Sequence, residues 1–160
     1  MKVSELMTTE VRTCWTNEPL DRAAQLMWES DCGALPVLDQ NGRVVGMITD
    51  RDLCMAAYTQ AQPLGRIPVS QAMSREMHSC KPEEDLGLAE KTMRSHQLRR
   101  LPVVDDEGYL RGILSLADIA RRAVKEARRK AGTKEVSFEE VGETFTAVTK
   151  PRRLQLAAAS

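Results

Sequence analysis

Two hydrophobic periodicities alternate along this chain. Leu20, Ala23, Ala24 and Met27 stand at i, i+3, i+4 and i+7, which predicts an amphipathic helix. Before it lie a short apolar element, Val3 to Met7, and a brief extended piece, Val11 to Cys14. After it, Leu35-Pro36-Val37-Leu38-Asp39 and Val44-Val45-Gly46-Met47-Ile48 flank Gln40-Asn41-Gly42. Short apolar runs around an Asn-Gly pair signal a hairpin, because the pair can supply positive φ. A second helix is expected from near Thr49. The predicted order is strand-helix-strand-strand-helix.

The same order then recurs. Leu35-Pro36-Val37 returns as Leu101-Pro102-Val103, an offset of 66 residues. That offset maps Met7 on Met73, Cys14 on Cys80, Leu20 on Leu86, Ala23 on Ala89 and Met27 on Met93. It also maps Asp39 on Asp105, Gly42 on Gly108, Gly46 on Gly112 and Asp52 on Asp118. Over residues 3–54 the two copies share 16 of 52 positions without a gap. A repeat of this length is a structural unit used twice. In the second copy Asp85 stands as an N-cap before Leu86, and a further helix is expected from near Ser115. Pro63, Gly65 and Pro68 mark a linker. The expected organisation is a first repeat over 1–62, a linker over 63–68, a second repeat over 69–130 and an arm over 131–160. Each copy alone is short of apolar residues for a stable core, so the two are expected to pack on each other.

Charge refines this picture. The chain of 160 residues carries 23 basic and 23 acidic side chains and is formally neutral. Residues 1–120 hold 13 basic and 18 acidic residues, a net of −5; residues 121–160 hold 10 and 5, a net of +5. Neutrality therefore hides an acidic body and a basic C-terminal segment. Aromatic residues make up only 4%, thin for stacking RNA bases or sugars. Cys14, Cys32, Cys54 and Cys80 form no C-x-x-C pair, which argues against a zinc ribbon or a thioredoxin-type site. No apolar run follows the N-terminus and none approaches a membrane span, so the expected location is cytoplasmic, with reduced thiols.

The candidate chemistry sits at two helix starts. Thr49-x-x-Asp52 and Ser115-x-x-Asp118 are each a capping box, which explains them structurally. A helix N-terminus also presents unpaired N–H groups that suit phosphate. The Thr or Ser hydroxyl can donate to a phosphate oxygen, and an ionised Asp can accept from two ribose hydroxyls. The two readings are compatible. There is no Walker loop, H-E-x-x-H or G-x-S-x-G motif. His78 and His96 are distant in sequence and lack an obvious partner, so no catalytic residue and no metal site are expected.

Leu-Pro-Val-[Leu/Val]-Asp, then Gly42 or Gly108, then Gly46-Met-Ile-Thr49-Asp-Arg-Asp52 or Gly112-Ile-Leu-Ser115-Leu-Ala-Asp118, resembles a tandem pair of CBS (cystathionine-β-synthase-type) domains. The resemblance covers about residues 1–126. It implies an α/β (α+β) fold of two βαββα repeats with pseudo-twofold symmetry and a cleft between two sheets. It also implies that AMP, ADP, ATP or S-adenosylmethionine binds there as a regulatory ligand, with no obligatory cofactor. Asp52 and Asp118 would then hold ribose hydroxyls, with Thr49 and Ser115 nearer the phosphate. The base would pack against Val11, Thr13, Ala34 and Leu35 in one site, and against Met77, Ser79, Arg100 and Leu101 in the other. Arg121 and Arg122 follow Asp118 where Met55 and Ala56 follow Asp52, which makes the second site the stronger candidate for an anionic ligand.

Beyond the repeats, Arg121, Arg122, Lys125, Arg128, Arg129 and Lys130 continue a helix expected to stop near Gly132. A helix dipole explains basic residues at its C-terminus, and a nucleic-acid face is the sharper but less favoured alternative. The arm over 131–160 is expected either to dock as an extended segment on a second subunit or to be disordered. Phe138 and Phe145 tilt that choice toward docking. The function expected is a stand-alone, non-catalytic module that binds an adenine nucleotide, forms a homodimer and signals to a regulated protein in trans. The alternative is a ligand-free scaffold acting through its dimer surface or basic segment.

Overall fold

The computed structural model describes residues 1–127 and 138–149. In the first repeat β1 (Cys14–Trp15), α1 (Leu20–Glu29), β2 (Ala34–Leu38), β3 (Val44–Thr49) and α2 (Asp50–Gln60) follow in order. In the second, α3 (Leu86–His96), β4 (Arg100–Val104), β5 (Leu110–Ser115) and α4 (Leu116–Ala127) repeat the pattern, and α5 (Phe138–Thr149) is added. The first sheet runs β1-β2-β3, with β1 parallel and β3 antiparallel to β2. In the second sheet the expected first strand shrinks to one parallel bridge, Cys80 to Val103, which matches the Cys14–Val37 pairing.

Each hairpin turns the same way. Gly42 N–H donates to Asp39 O at 2.9 Å, and Gly108 N–H donates to Asp105 O at 3.2 Å. Gly42 and Gly108 take φ of +79° and +90°, a conformation that strains any residue with a Cβ. Asn41 has no positive φ, so the glycine alone supplies it. Arg43 and Tyr109, equivalent positions of the two copies, bridge each other. A residue that touches its own repeat-mate lies at the pseudo-twofold axis, so the axis passes between the two turns.

The helices form because their apolar stripes have a sheet to cover. Leu20, Ala23 and Met27 of α1 pack with Leu35, Val37 and Ile48 in one core; Leu86, Ala89 and Met93 of α3 pack with Leu101, Val103 and Leu114 in the other. Each fully buried Leu, Ile or Met of this kind contributes roughly 1.5–3 kcal/mol. Cys14 and Cys80 belong to these separate cores, 0% and 2% exposed, and burial pushes both thiols up to about 12.

The packing unit is not the sequence unit. Val3 opens the first copy but is buried in the second core, and Val69 opens the second copy but is buried in the first. The exchange is reciprocal. Thr8 and Ile113 trade two backbone hydrogen bonds at 2.9 Å, as Ser74 and Met47 do at 2.9 and 3.2 Å. Leu86 N–H donates to Met1 O as Leu20 N–H donates to Ile67 O, both at 2.9 Å. The exchanged backbone passes so close that a Cβ on Gly46 would sit 2.4 Å from Ser74 O, and one on Gly112 would sit 2.8 Å from Thr8 O. That contact explains why both copies carry glycine there.

The C-terminal region departs from expectation. Residues 138–149 form a helix that packs on α3 and α4 of the same chain rather than an extended arm. Arg94 donates to Thr144 Oγ1 at 3.1 Å and Gln97 donates to Ala147 O at 3.3 Å. Val148 enters the second core and Thr144 is fully buried, while Phe145 stays 57% exposed. Val148 and Thr144, not Phe145, anchor this helix. Arg128, Arg129, Lys130 and Gly132 lie outside the described residues. Among the described residues no helix is long and apolar enough to cross a membrane.

Candidate functional site

Both capping boxes form. Thr49 N–H and Oγ1 donate to Asp52 Oδ2 at 2.8 and 2.7 Å, and Asp52 N–H returns a 3.3 Å bond to Thr49 Oγ1. Ser115 N–H and Oγ donate to Asp118 Oδ2 at 2.9 and 2.5 Å, and Asp118 N–H donates to Ser115 Oγ at 3.2 Å. One carboxylate oxygen of each Asp is thereby committed to the cap. In the first copy Oδ1 of Asp52 receives no hydrogen bond from a described residue. In the second, Oδ1 of Asp118 is paired with Arg121, and Asp118 is 7% exposed.

The sheet brings the other elements to these caps. Ala34 is the register partner of Thr49, and Arg100 that of Ser115. Asp50 N–H donates to Gly33 O at 3.3 Å, and Leu116 N–H donates to Arg99 O at 2.9 Å, tying each helix start to the chain before the Pro strand. Side chains alternate across a strand. Leu35 and Ile48 point into the first core, so Ala34 and Thr49 share the opposite face of β2 and β3, and Thr13 stands one residue before β1. By the same pleat Arg100 and Ser115 share a face in the second copy, and Ser79 stands one residue before the Cys80 bridge.

Two expectations are corrected by that alternation. Leu35 and Leu101 are 1% and 0% exposed, with their side chains in the two cores. Neither side chain is available to a base. Arg122 pairs with Glu126 one turn along α4 at 2.5 Å, and Arg121 pairs with Asp118. An arginine and its matching carboxylate four residues apart on one helix face satisfy each other. Glu126 was the signal in the sequence for this pairing.

Sequence reasoning also separated two residues that the fold unites. The rings of His78 and His96 stack with centroids 3.6 Å apart and planes 25° from parallel. Their 18-residue separation in sequence hid this, because only the packing of α3 against the chain before Cys80 brings them together.

The comparisons agree with this architecture. The family model for the CBS domain matches twice, over residues 3–58 and 69–125. The chain therefore belongs to the CBS-domain family and carries a tandem pair. It is 42% identical over 118 residues to the CBS domain-containing protein YhcV of Bacillus subtilis, spanning 74% of this chain and 82% of that protein. The crystal structure of CBSX2 in complex with AMP matches with a TM-score of 0.69 and 29% identity, over 79% of this chain and 98% of that one. The CBS domain pair of protein MJ0100, in complex with 5-methylthioadenosine and S-adenosyl-L-methionine, matches in fold with a TM-score of 0.70 and 22% identity, over 81% and 98%.

Proposed function

We propose that this protein is a regulatory module whose two repeats bind an adenine nucleotide, AMP, ADP, ATP or S-adenosylmethionine, and signal its presence to a partner protein. The observation that carries the reading is the twin arrangement of Thr49 and Asp52 beside Ala34, and of Ser115 and Asp118 beside Arg100. Each places a helix N-terminus, a hydroxyl and a carboxylate at the edge of one sheet face. The AMP complex of the related CBSX2 supports the ligand class. Ribose hydroxyls would take the Asp oxygens and phosphate would take the helix N–H groups and Arg121. Arg121 gives the second site the extra positive charge, at the price of first leaving Asp118. Assembly as a homodimer and a regulated protein in trans belong to the same proposal.

The test is a thermal-shift and titration series with AMP, ADP, ATP and S-adenosylmethionine. Ligand at about 100 times its Kd should stabilise the fold by about 2.7 kcal/mol. Asp118→Ala should weaken nucleotide binding more than Asp52→Ala. No shift with any adenine compound, or an equal shift with inorganic phosphate alone, overturns the reading and leaves a ligand-free scaffold.

A further inference from the structure

We propose that Glu76, His78 and His96 form a binding site for a divalent transition-metal ion of the zinc class. One ligand atom from each of the three lies within 4.8 Å of the other two. His78 Nε2 is 3.4 Å from Glu76 Oε1, and the two imidazoles face each other at 3.6 Å. Among the described residues this is the cluster of at least three metal-ligating side chains that converges on one point. Two imidazole nitrogens and one carboxylate oxygen are the donor set that borderline divalent ions take, and three protein ligands leave a position for water.

The elements around the cluster suit a cation. His96 is the last residue of α3, where the helix carbonyls carry partial negative charge. Glu76 and His78 are two residues apart on the non-helical stretch leading to Cys80. Zinc–nitrogen bonds of about 2.0–2.1 Å place two nitrogens about 3.3 Å apart on one tetrahedral ion. Glu76 and His96 are exposed and His78 is partly exposed, so rotation of these side chains can close the present spacing. The ion would tie the 76–78 stretch to the end of α3, a link that no backbone hydrogen bond makes between those segments among the described residues. The repeat itself isolates the feature. The offset of 66 puts Glu10, Arg12 and Ser30 at the matching positions, so the first copy keeps the carboxylate and replaces both imidazoles.

The experiment is calorimetric titration of the chelator-stripped full chain with Zn²⁺, read beside melting curves with and without the ion. The expected result is one ion per chain and a melting temperature that rises with Zn²⁺. His96→Ala and His78→Ala should each weaken binding by about tenfold or more, and Glu76→Gln by less. Cys32 and Cys54 are the thiols that are not fully buried, so a Cys32→Ser/Cys54→Ser double variant separates thiol binding from this site and should bind as the parent does. Should His78→Ala fail to fold, the exposed His96→Ala decides alone. Parent-like affinity in His96→Ala, loss of the ion in the cysteine variant, or no binding by the parent overturns the proposal.

Discussion

The outer helix pairs of the two repeats differ far more than their cores. In the second repeat α5 covers α3 and α4, with Arg94, Gln97 and Leu98 at or beside its seat. The equivalent positions in the first repeat are Trp28, Asp31 and Cys32, and they line an open groove of about 490 Å³. Trp28 is 88% exposed there and Tyr58, on the same helix pair, 80%. Elsewhere the copies stay alike: the turn glycines, the capping boxes, the buried cysteines and the exchanged segments all recur at one offset. Positions that face a core or the other repeat are constrained by two partners at once. Positions that face outward answer to one, and there the copies have diverged.

The largest effect expected is loss of the exchange itself. Gly46→Ala places a Cβ against a backbone carbonyl and should cost about 3 kcal/mol in urea unfolding; Gly112→Ala, whose nearest neighbours include the flexible Met7 side chain, should cost about 2 kcal/mol. A negligible loss in both would show that the exchanged segments are not held in this register. Next comes the added helix. Val148→Ala removes a core contact that the first repeat lacks and should cost about 2 kcal/mol. Hydrogen exchange should then show protection falling in α3 and α4 while α1 and α2 keep theirs. A uniform fall would mean that the two halves unfold as one unit. Removing a cap hydroxyl, as Thr49→Ala or Ser115→Ala, should cost about 1 kcal/mol in either copy, since the two boxes share one geometry.

The smallest expected effect concerns a buried carboxyl. Glu90 is 4% exposed on α3 beneath α5, and its Oε1 has no hydrogen-bond partner among the described residues. Burial, then the charge of Glu140, raises its pKa against the opposing pull of Arg94. A carboxyl with a raised folded pKa favours the fold while protonated, and that contribution fades as pH climbs from the unfolded value through the folded one. Glu90→Gln should therefore raise the melting temperature at pH 7, with the gain shrinking as pH falls toward 4. A pH-independent difference would place Glu90 in water. The first repeat has Ala24 at this position and no such dependence is expected from it.

Much of this was legible in the sequence because it is local. A helix stripe, a turn glycine and a capping box each involve residues within one or two turns of chain, so the offset of 66 and the Thr49/Asp52 and Ser115/Asp118 boxes could be read directly. The pleat is legible in principle too, yet the resemblance alone puts Leu35 and Leu101 against the base; only the face that each helix covers sends them to the cores.

The sequence by itself determined the repeat, the secondary elements and the chemistry at two helix starts, since periodicity and capping act over a few residues. Tertiary structure decided which copy each opening segment completes, where residues 138–149 dock and that His78 meets His96. Those contacts join groups far apart in the chain, and their free energy depends on burial and close approach that exist only once both sheets are packed.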